Sequence, residues 1–301
     1  MKRIIITAAN GFLGLHLCEH FAKTHEVIAL VRTLLPNQPN ITYIEWDGKT
    51  LGDWQAYFEG AHAVINLAGK SVDCRYHDEN KNLILQSRLE STSVLGEAMD
   101  LCNVKPSVWM NSASATIYAH SLEKANSEAE HVIGSGFSVE VCQQWEKTFF
   151  DFTYTNVRQV ALRTTIVLGK DGGAFPVMKK MTKLFAGGKQ GNGKQMISWI
   201  HIDDFTNAVD HILVHDELRG SINLGSPNPA RNAHFMRELR SACNRPFGLA
   251  TPKFLLEIGA RIIKTETELI LKSRFIEPGI LMNSGFKFNY PTIKEAMNDL
   301  I

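Results

Sequence analysis

The chain has 301 residues, with 32 Lys and Arg against 31 Asp and Glu and a formal charge of +1. That length suffices for one large domain with a lobe or for two modest domains. The even charge provides no global field for nucleic acid or an anionic membrane, so a small-molecule ligand is expected. Five cysteines (Cys18, Cys74, Cys102, Cys142 and Cys243) are scattered without CxxC spacing, which argues against a disulfide framework or zinc site and predicts a reduced, cytoplasmic chain. No secretory pattern follows Met1, and no apolar run approaches the roughly 18 residues of a spanning helix, so no membrane insertion is expected.

In chain order, Ile4–Ile6 reads as a first buried strand, and Thr7-Ala8-Ala9-Asn10-Gly11-Phe12-Leu13-Gly14 as its turn into a first helix. A dinucleotide pyrophosphate needs backbone N–H groups, a helix N-terminus and small side chains at such a turn, and Gly11 and Gly14 fit. The other reading is an ordinary strand-to-helix turn. In the helix, His16-Leu17-Cys18-Glu19-His20 matches an HxxEH zinc spacing. Its register turns both histidines away from the core, and no third ligand is evident.

Val27–Val31 forms the second strand and ends at Arg32. An acidic residue there would pair with the ribose 2′-OH of NAD, whereas arginine suits the 2′-phosphate of NADP. The alternative for Arg32 is a solvated strand-end charge. Asp47, after a third strand over Ile41–Trp46, either meets the adenine amino group or serves as a turn residue. Further strands follow at Ala63–Asn66, Val108–Met110 and Val160–Leu162, continuous apolar runs that suit a sheet covered on both faces. Between them, residues 78–101 place Leu85, Leu89, Thr92, Leu95 and Met99 on one face of a long helix.

After about residue 170 the pattern becomes Gly-rich and Pro-punctuated, with Gly172-Gly173, Gly187-Gly188, Pro227 and Pro229. The run from Gly187 through Lys194 lacks Walker spacing and reads as a turn of a substrate lobe. His201, in Trp199–Asp204, reads as an acid/base or, more simply, as a strand-end histidine bonded to a neighbouring carboxylate. The predicted architecture is therefore α/β. A Rossmann-type, doubly wound parallel sheet spans residues 1–170, and a smaller C-terminal α/β substrate lobe spans 171–301, with some segments returning to the core.

Several segments together resemble the atypical extended short-chain dehydrogenase/reductases, the epimerase family proteins of the NAD-dependent epimerase/dehydratase type. Val64-Ile65-Asn66-Leu67-Ala68-Gly69 is similar to the family's fourth-strand signature, whose backbone lines the dinucleotide. Ser87-Arg88 through Thr92 is similar to its long-helix motif, and Ser112-Ala113-Ser114-Ala115 with Tyr118 to the segment carrying the catalytic serine. Leu162-Arg163-Thr164 through Gly169 and Asp171-Gly172-Gly173-Ala174 resemble the stretch after the sixth strand. Ser198–Asp204 and the tail residues Gly285-Phe286 and Tyr290-Pro291 match as well.

Arg32 favours NADP as cofactor, with NAD as the alternative, and the resemblance implies a small-molecule substrate such as a nucleotide sugar. It also implies a homodimer as one option, through helices beside the sheet. The glycine turn, the strand ends and the resemblance together give as expected cofactor contacts Asn10, Gly11, Phe12, Leu13, Gly14, Arg32, Asp47, Leu67, Ala68, Gly69, Arg75 and Arg163, and as expected catalytic residues Ser114 and Tyr118. Arg75, with Tyr76, resembles the family's Arg-aromatic pair and suits a phosphate or anionic substrate group; a surface loop cation is the other reading.

Two departures stand out. Ala8 and Ala9 occupy positions where the family commonly has glycine, so an αL requirement at residue 8 would strain the chain and weaken cofactor binding. The helix before the sixth strand reads Cys142-Gln143-Gln144-Trp145-Glu146, where typical reductases carry Tyr and Lys four residues apart. Ser114 can polarise a carbonyl but lacks that partner. Tyr118 would need a nearby cation to titrate usefully, and the sequence identifies none. Glu146, one turn from Cys142, should raise the thiol pKa. The expected function is thus an NADP-dependent epimerase, dehydratase or oxidoreductase-like enzyme. The alternative is a non-catalytic NADP(H)-binding regulatory or sensor protein.

Overall fold

A computed structural model describes residues 1–254, 256–257 and 271–301. Seven strands form one parallel sheet: β1 (Arg3–Thr7), β2 (Glu26–Val31), β3 (Ile41–Glu45), β4 (Ala63–Asn66), β5 (Val108–Ser114), β6 (Arg158–Thr164) and β10 (Gly220–Leu224). Their order is β3-β2-β1-β4-β5-β6-β10. The chain winds outward from β1 in both directions, so a crevice opens between the carboxyl ends of β1 and β4, where ligands of such sheets bind.

Alternate strand residues feed two cores, as a pleat with both faces covered requires. Ile4, Ile6, Val27 and Ala29 pack under α1 (Phe12–Phe21) and α5 (Ile202–Val214), against Leu17, Phe21, Phe205 and Val209. Ile5, Ile28, Leu30, Val64 and Trp109 face the other way, under α2 (Asp78–Asp100) and α3 (Phe137–Asp151), against Leu95, Met99 and Phe149. The long helix predicted over residues 78–101 is thus present. Its buried face runs through Ile84, Ser91, Thr92, Leu95, Ala98 and Met99, while Leu85 and Leu89 are only half-buried. Small residues at 91, 92 and 98 let α2 lie close to the sheet and to α3.

The remaining elements form a smaller unit. Strands β7 (Ile166–Leu168) and β9 (Trp199–His201) pair in parallel, and β8 (Met196–Ile197) pairs antiparallel with β11 (Ala230–Arg231). Helices α4 (Phe175–Lys183), α6 (Asn232–Ala242) and α8 (Ile293–Leu300) contribute Phe175, Phe235, Leu239 and Met297 to a separate core with Trp199. Short α7 (Gly279–Asn283) lies against β10 and buries Leu281 in the first core. Both α5 and β10, from beyond residue 170, thus belong to the main sheet's layers. Among the described residues no helix is long and apolar enough to cross a membrane.

Candidate dinucleotide site and adjoining cleft

The turn after β1 is tight. Ala8 adopts φ +50°, in the left-handed region that favours glycine, which costs a residue with a Cβ about 1–2 kcal/mol. Gly11 is the N-cap of α1 and offers no side-chain cap. The first-turn amides of Phe12, Leu13 and Gly14 have no acceptor within the helix, and no acidic residue stands in that turn. The result is a concentration of N–H donors and positive helix dipole at the crevice. A Cβ on Gly14 would lie 2.5 Å from the Ala8 carbonyl oxygen and 2.7 Å from the Ala9 Cα. Only glycine permits this approach of helix to strand. Asn10 and Gly11 are exposed at the rim, while Phe12 and Leu13 are half-buried.

Beyond residue 170, where a substrate lobe with some segments returning to the core was expected, the loop carrying Gly172 and Gly173 lies against this turn. A Cβ at Gly169 or Gly172 would fall 2.4–2.5 Å from the Phe12 ring, so the loop after β7 forms a slot for that ring. Asp171 of the same loop meets His16 at 3.2 Å.

Arg32 is exposed at the end of β2 and lines a recess of about 700 Å³ with Trp46, Asp47, Leu51 and Trp54. Asp47 acts as a turn residue there. Its carboxylate accepts the amides of Lys49 and Thr50 at 2.8 and 2.9 Å and the Thr50 hydroxyl at 2.7 Å. Those bonds, the Thr50 amide foremost, hold its pKa below the usual carboxylate value.

On the β4 side, a buried polar network fixes the loop that follows. The Thr7 hydroxyl donates to Asn66 Oδ1 at 2.7 Å and accepts the Leu67 amide at 2.9 Å; Ala68 N also donates to Asn66 Oδ1. Asn66 Nδ2 donates to Asn111 on β5 at 2.7 Å. Full satisfaction makes such a network rigid, and it presents Leu67, Ala68 and Gly69 at the crevice. The α2 motif holds the next residues: Ser87 Oγ accepts the Lys70 amide, and Arg88 donates to the Lys70 carbonyl at 3.0 Å. The Arg88 guanidinium also stacks on Trp145 of α3, whose indole N–H donates to Thr92 at 3.0 Å. Arg75 is half-buried, and its carbonyl accepts from Asn80 at 2.8 Å.

The chemistry-bearing residues separate into an accessible one and a sealed group. Ser114 ends β5, half-buried, opposite Thr164 of β6. Its Oγ accepts the Thr116 amide at 3.2 Å, which fixes the oxygen and leaves its proton to donate. Tyr118, expected as catalytic, is instead fully buried. Its hydroxyl donates to Asn223 Oδ1 at 2.8 Å and accepts from Arg163 Nη1 at 2.9 Å, so it faces no open cleft. Burial pushes its pKa up, with Arg163 opposing. Arg163, expected at the cofactor, is the cation that the sequence did not reveal for Tyr118. Its Nε and Nη2 donate to the two oxygens of Glu146, both at 2.7 Å, and it is only 8% exposed. All three of its nitrogens are therefore engaged inside the protein. Cys142 is buried as well, and its thiol is pushed up to about 11 by burial and then by Glu146, so it is no thiolate near neutral pH.

The NAD dependent epimerase/dehydratase family matches residues 4–225, which include the whole sheet but its first residue, and a domain of unknown function, DUF1731, matches residues 251–300. The chain belongs to the NAD dependent epimerase/dehydratase family. An epimerase family protein of Staphylococcus epidermidis is 32% identical, covering 100% of this chain and 99% of that protein. The human epimerase family protein SDR39U1, crystallised with NADPH, matches with TM-score 0.88 and 25% identity over 99% of this chain and 98% of its own. A nucleoside-diphosphate sugar epimerase from Corynebacterium glutamicum matches with TM-score 0.79 and 28% identity, over 99% of this chain and 58% of its own.

In this family member, the segment Trp199–Asp204 is tied into the protein by its own contacts. His201 is 1% exposed and stacks on Tyr290 at 3.8 Å. It accepts the Asp203 amide at 3.1 Å and lies 3.3 Å from Asp299. Asp204 accepts the amides of Asn289 and Tyr290 at 2.7 and 2.9 Å, which pins the tail to α5. His16 and His20 bind Asp171 and Asp210 separately, and no metal-holding cluster occurs among the described residues.

Proposed function

We propose that this chain binds NADP(H) and uses it in an epimerase- or oxidoreductase-type reaction on a small molecule, with a nucleotide sugar as the leading substrate class. The observation that carries the reading is the uncapped α1 N-terminus, closed onto β1 at a position where only Gly14 fits. The cradle fits a pyrophosphate: the amides of Phe12, Leu13 and Gly14 would hold it. Arg32 would pair with the 2′-phosphate, and the backbone of Leu67, Ala68 and Gly69 would line the dinucleotide. The human relative crystallised with NADPH supports the phosphorylated cofactor, and the Corynebacterium relative, named as a nucleoside-diphosphate sugar epimerase, supports the substrate class. When bound, the nicotinamide supplies a carbon that gives or takes hydride. Ser114, its oxygen held by the Thr116 amide, donates a hydrogen bond to the substrate oxygen.

A second reading, a non-catalytic NADP(H)-binding sensor, is favoured by one observation: Tyr118, Cys142 and Glu146 are all buried. NADPH titration followed by a panel of nucleotide sugars separates the two. Turnover that Ser114→Ala abolishes while NADPH affinity stays within about twofold supports the enzyme, and NADPH binding without turnover supports the sensor. Failure to bind NADPH contradicts both.

A further inference from the structure

Two stretches of this nearly neutral chain contain no acidic residue. Five lysines stand between Asp171 and Asp203, and Arg240, Arg245 and Lys253 stand between Glu238 and Glu257. The fold joins the two stretches. Leu249 N donates to the Phe185 carbonyl at 2.8 Å, Gly188 N to the Leu249 carbonyl at 3.1 Å, and Arg245 Nε to the Lys183 carbonyl at 3.0 Å. Phe185 takes φ +63° as the chain leaves α4. Its ring stacks on Phe247 at 4.8 Å, with the Arg245 guanidinium 5.2 Å from its centroid.

The surface so built is apolar as well as basic. Val177, Met181 and Leu184 recur at helical spacing on α4 and its C-terminal end and are 57%, 47% and 67% exposed; Phe247 and Leu249 are 58% and 66% exposed. Lys180 shares their helical face, and Lys183 is exposed beside it. Single exposed apolar residues are ordinary, but a contiguous group marks an interaction surface. A second copy of the chain meeting this face with its own would set lysines against lysines. A peptide ligand would bury its anchors in a groove, whereas these side chains stand outward.

We propose that this face docks on an anionic lipid bilayer. The apolar tips enter the boundary between headgroups and acyl chains, while the lysines and Arg245 reach the lipid phosphates and carboxylates. The overall charge of +1, which argues against membrane attraction, averages over this patch. The proposal stands apart from the dinucleotide reading, because none of its residues lines that site.

The test is co-sedimentation of the full chain with phosphatidylcholine vesicles with and without phosphatidylserine. Binding should require phosphatidylserine and weaken in high salt. It should fall about tenfold or more in Lys180→Glu/Lys183→Glu, and also in Leu184→Ser/Leu249→Ser, with unfolding midpoint and NADPH affinity unchanged in both variants. The proposal is overturned by absence of binding to phosphatidylserine vesicles, or by loss in the charge variant with full retention in the serine variant. A solution dimer that Leu184→Ser/Leu249→Ser dissociates would assign the face to a second copy and overturn it as well.

Discussion

Gly14 and Ala8 touch so closely that a Cβ on Gly14 would sit 2.5 Å from the Ala8 carbonyl oxygen. Backbone, not a flexible side-chain end, is the obstacle. Gly14→Ala should therefore cost about 1–3 kcal/mol of stability and abolish dinucleotide binding. Ala8→Gly should act in the opposite sense. It relieves a left-handed strain of about 1–2 kcal/mol and gives back part through the freer unfolded chain, for a net gain of up to about 1 kcal/mol. Urea unfolding of the two variants beside the parent checks both signs; destabilisation by Ala8→Gly would contradict the strain assigned to Ala8.

The Arg163–Glu146 pair sits where its breakage leaves a buried charge. Either Arg163→Met or Glu146→Leu alone should cost about 3–5 kcal/mol, and the double variant much less, because no unpaired ion remains. A double-mutant cycle by denaturant unfolding measures the coupling. Additive losses would show that the pair is not the source of the stability.

Stability should fall on mild acidification. Burial lowers the His201 pKa, so the unfolded chain takes up a proton near pH 6.5 that the native state resists. The contribution is fully present above that pH and declines as pH drops toward the lower native value. His201→Asn can keep the bond from the Asp203 amide. Its melting temperature should change less between pH 6.5 and 5 than that of the parent, while an unchanged slope would place the titration on His25, His62 or His211, whose pKa values are also lowered, mainly by burial.

The sequence revealed what short-range patterns encode. Six strands of the main sheet lie where apolar runs placed them, and the Gly11–Gly14 turn falls at the start of α1. The condition raised for Ala8, a positive φ, is met, and Glu146 does raise the Cys142 pKa, though less than burial does. The seventh strand, Gly220–Leu224, carries no continuous apolar run that would mark it as a strand, because Gly220, Ser221 and Asn223 leave only Ile222 and Leu224 apolar. Long-range pairings were also hidden. Tyr118 and Arg163 are 45 residues apart, Arg163 and Glu146 17 apart on different elements, and His16 and Asp171 155 apart. No periodicity records such contacts. Their one sequence-level trace is the joint departure at residues 142 and 146, where a cysteine and a glutamate four residues apart turn their helix face inward.

Dissociation constants for NADPH and NADH on the parent and on Arg32→Ala decide whether the crevice at α1 holds NADP(H) with Arg32 on the 2′-phosphate. The parent should bind NADPH more tightly than NADH, and Arg32→Ala should lose about tenfold or more for NADPH, the size of a charge-assisted hydrogen bond, with NADH nearly unchanged. Equal losses for the two, or no binding of either by the parent, would contradict it.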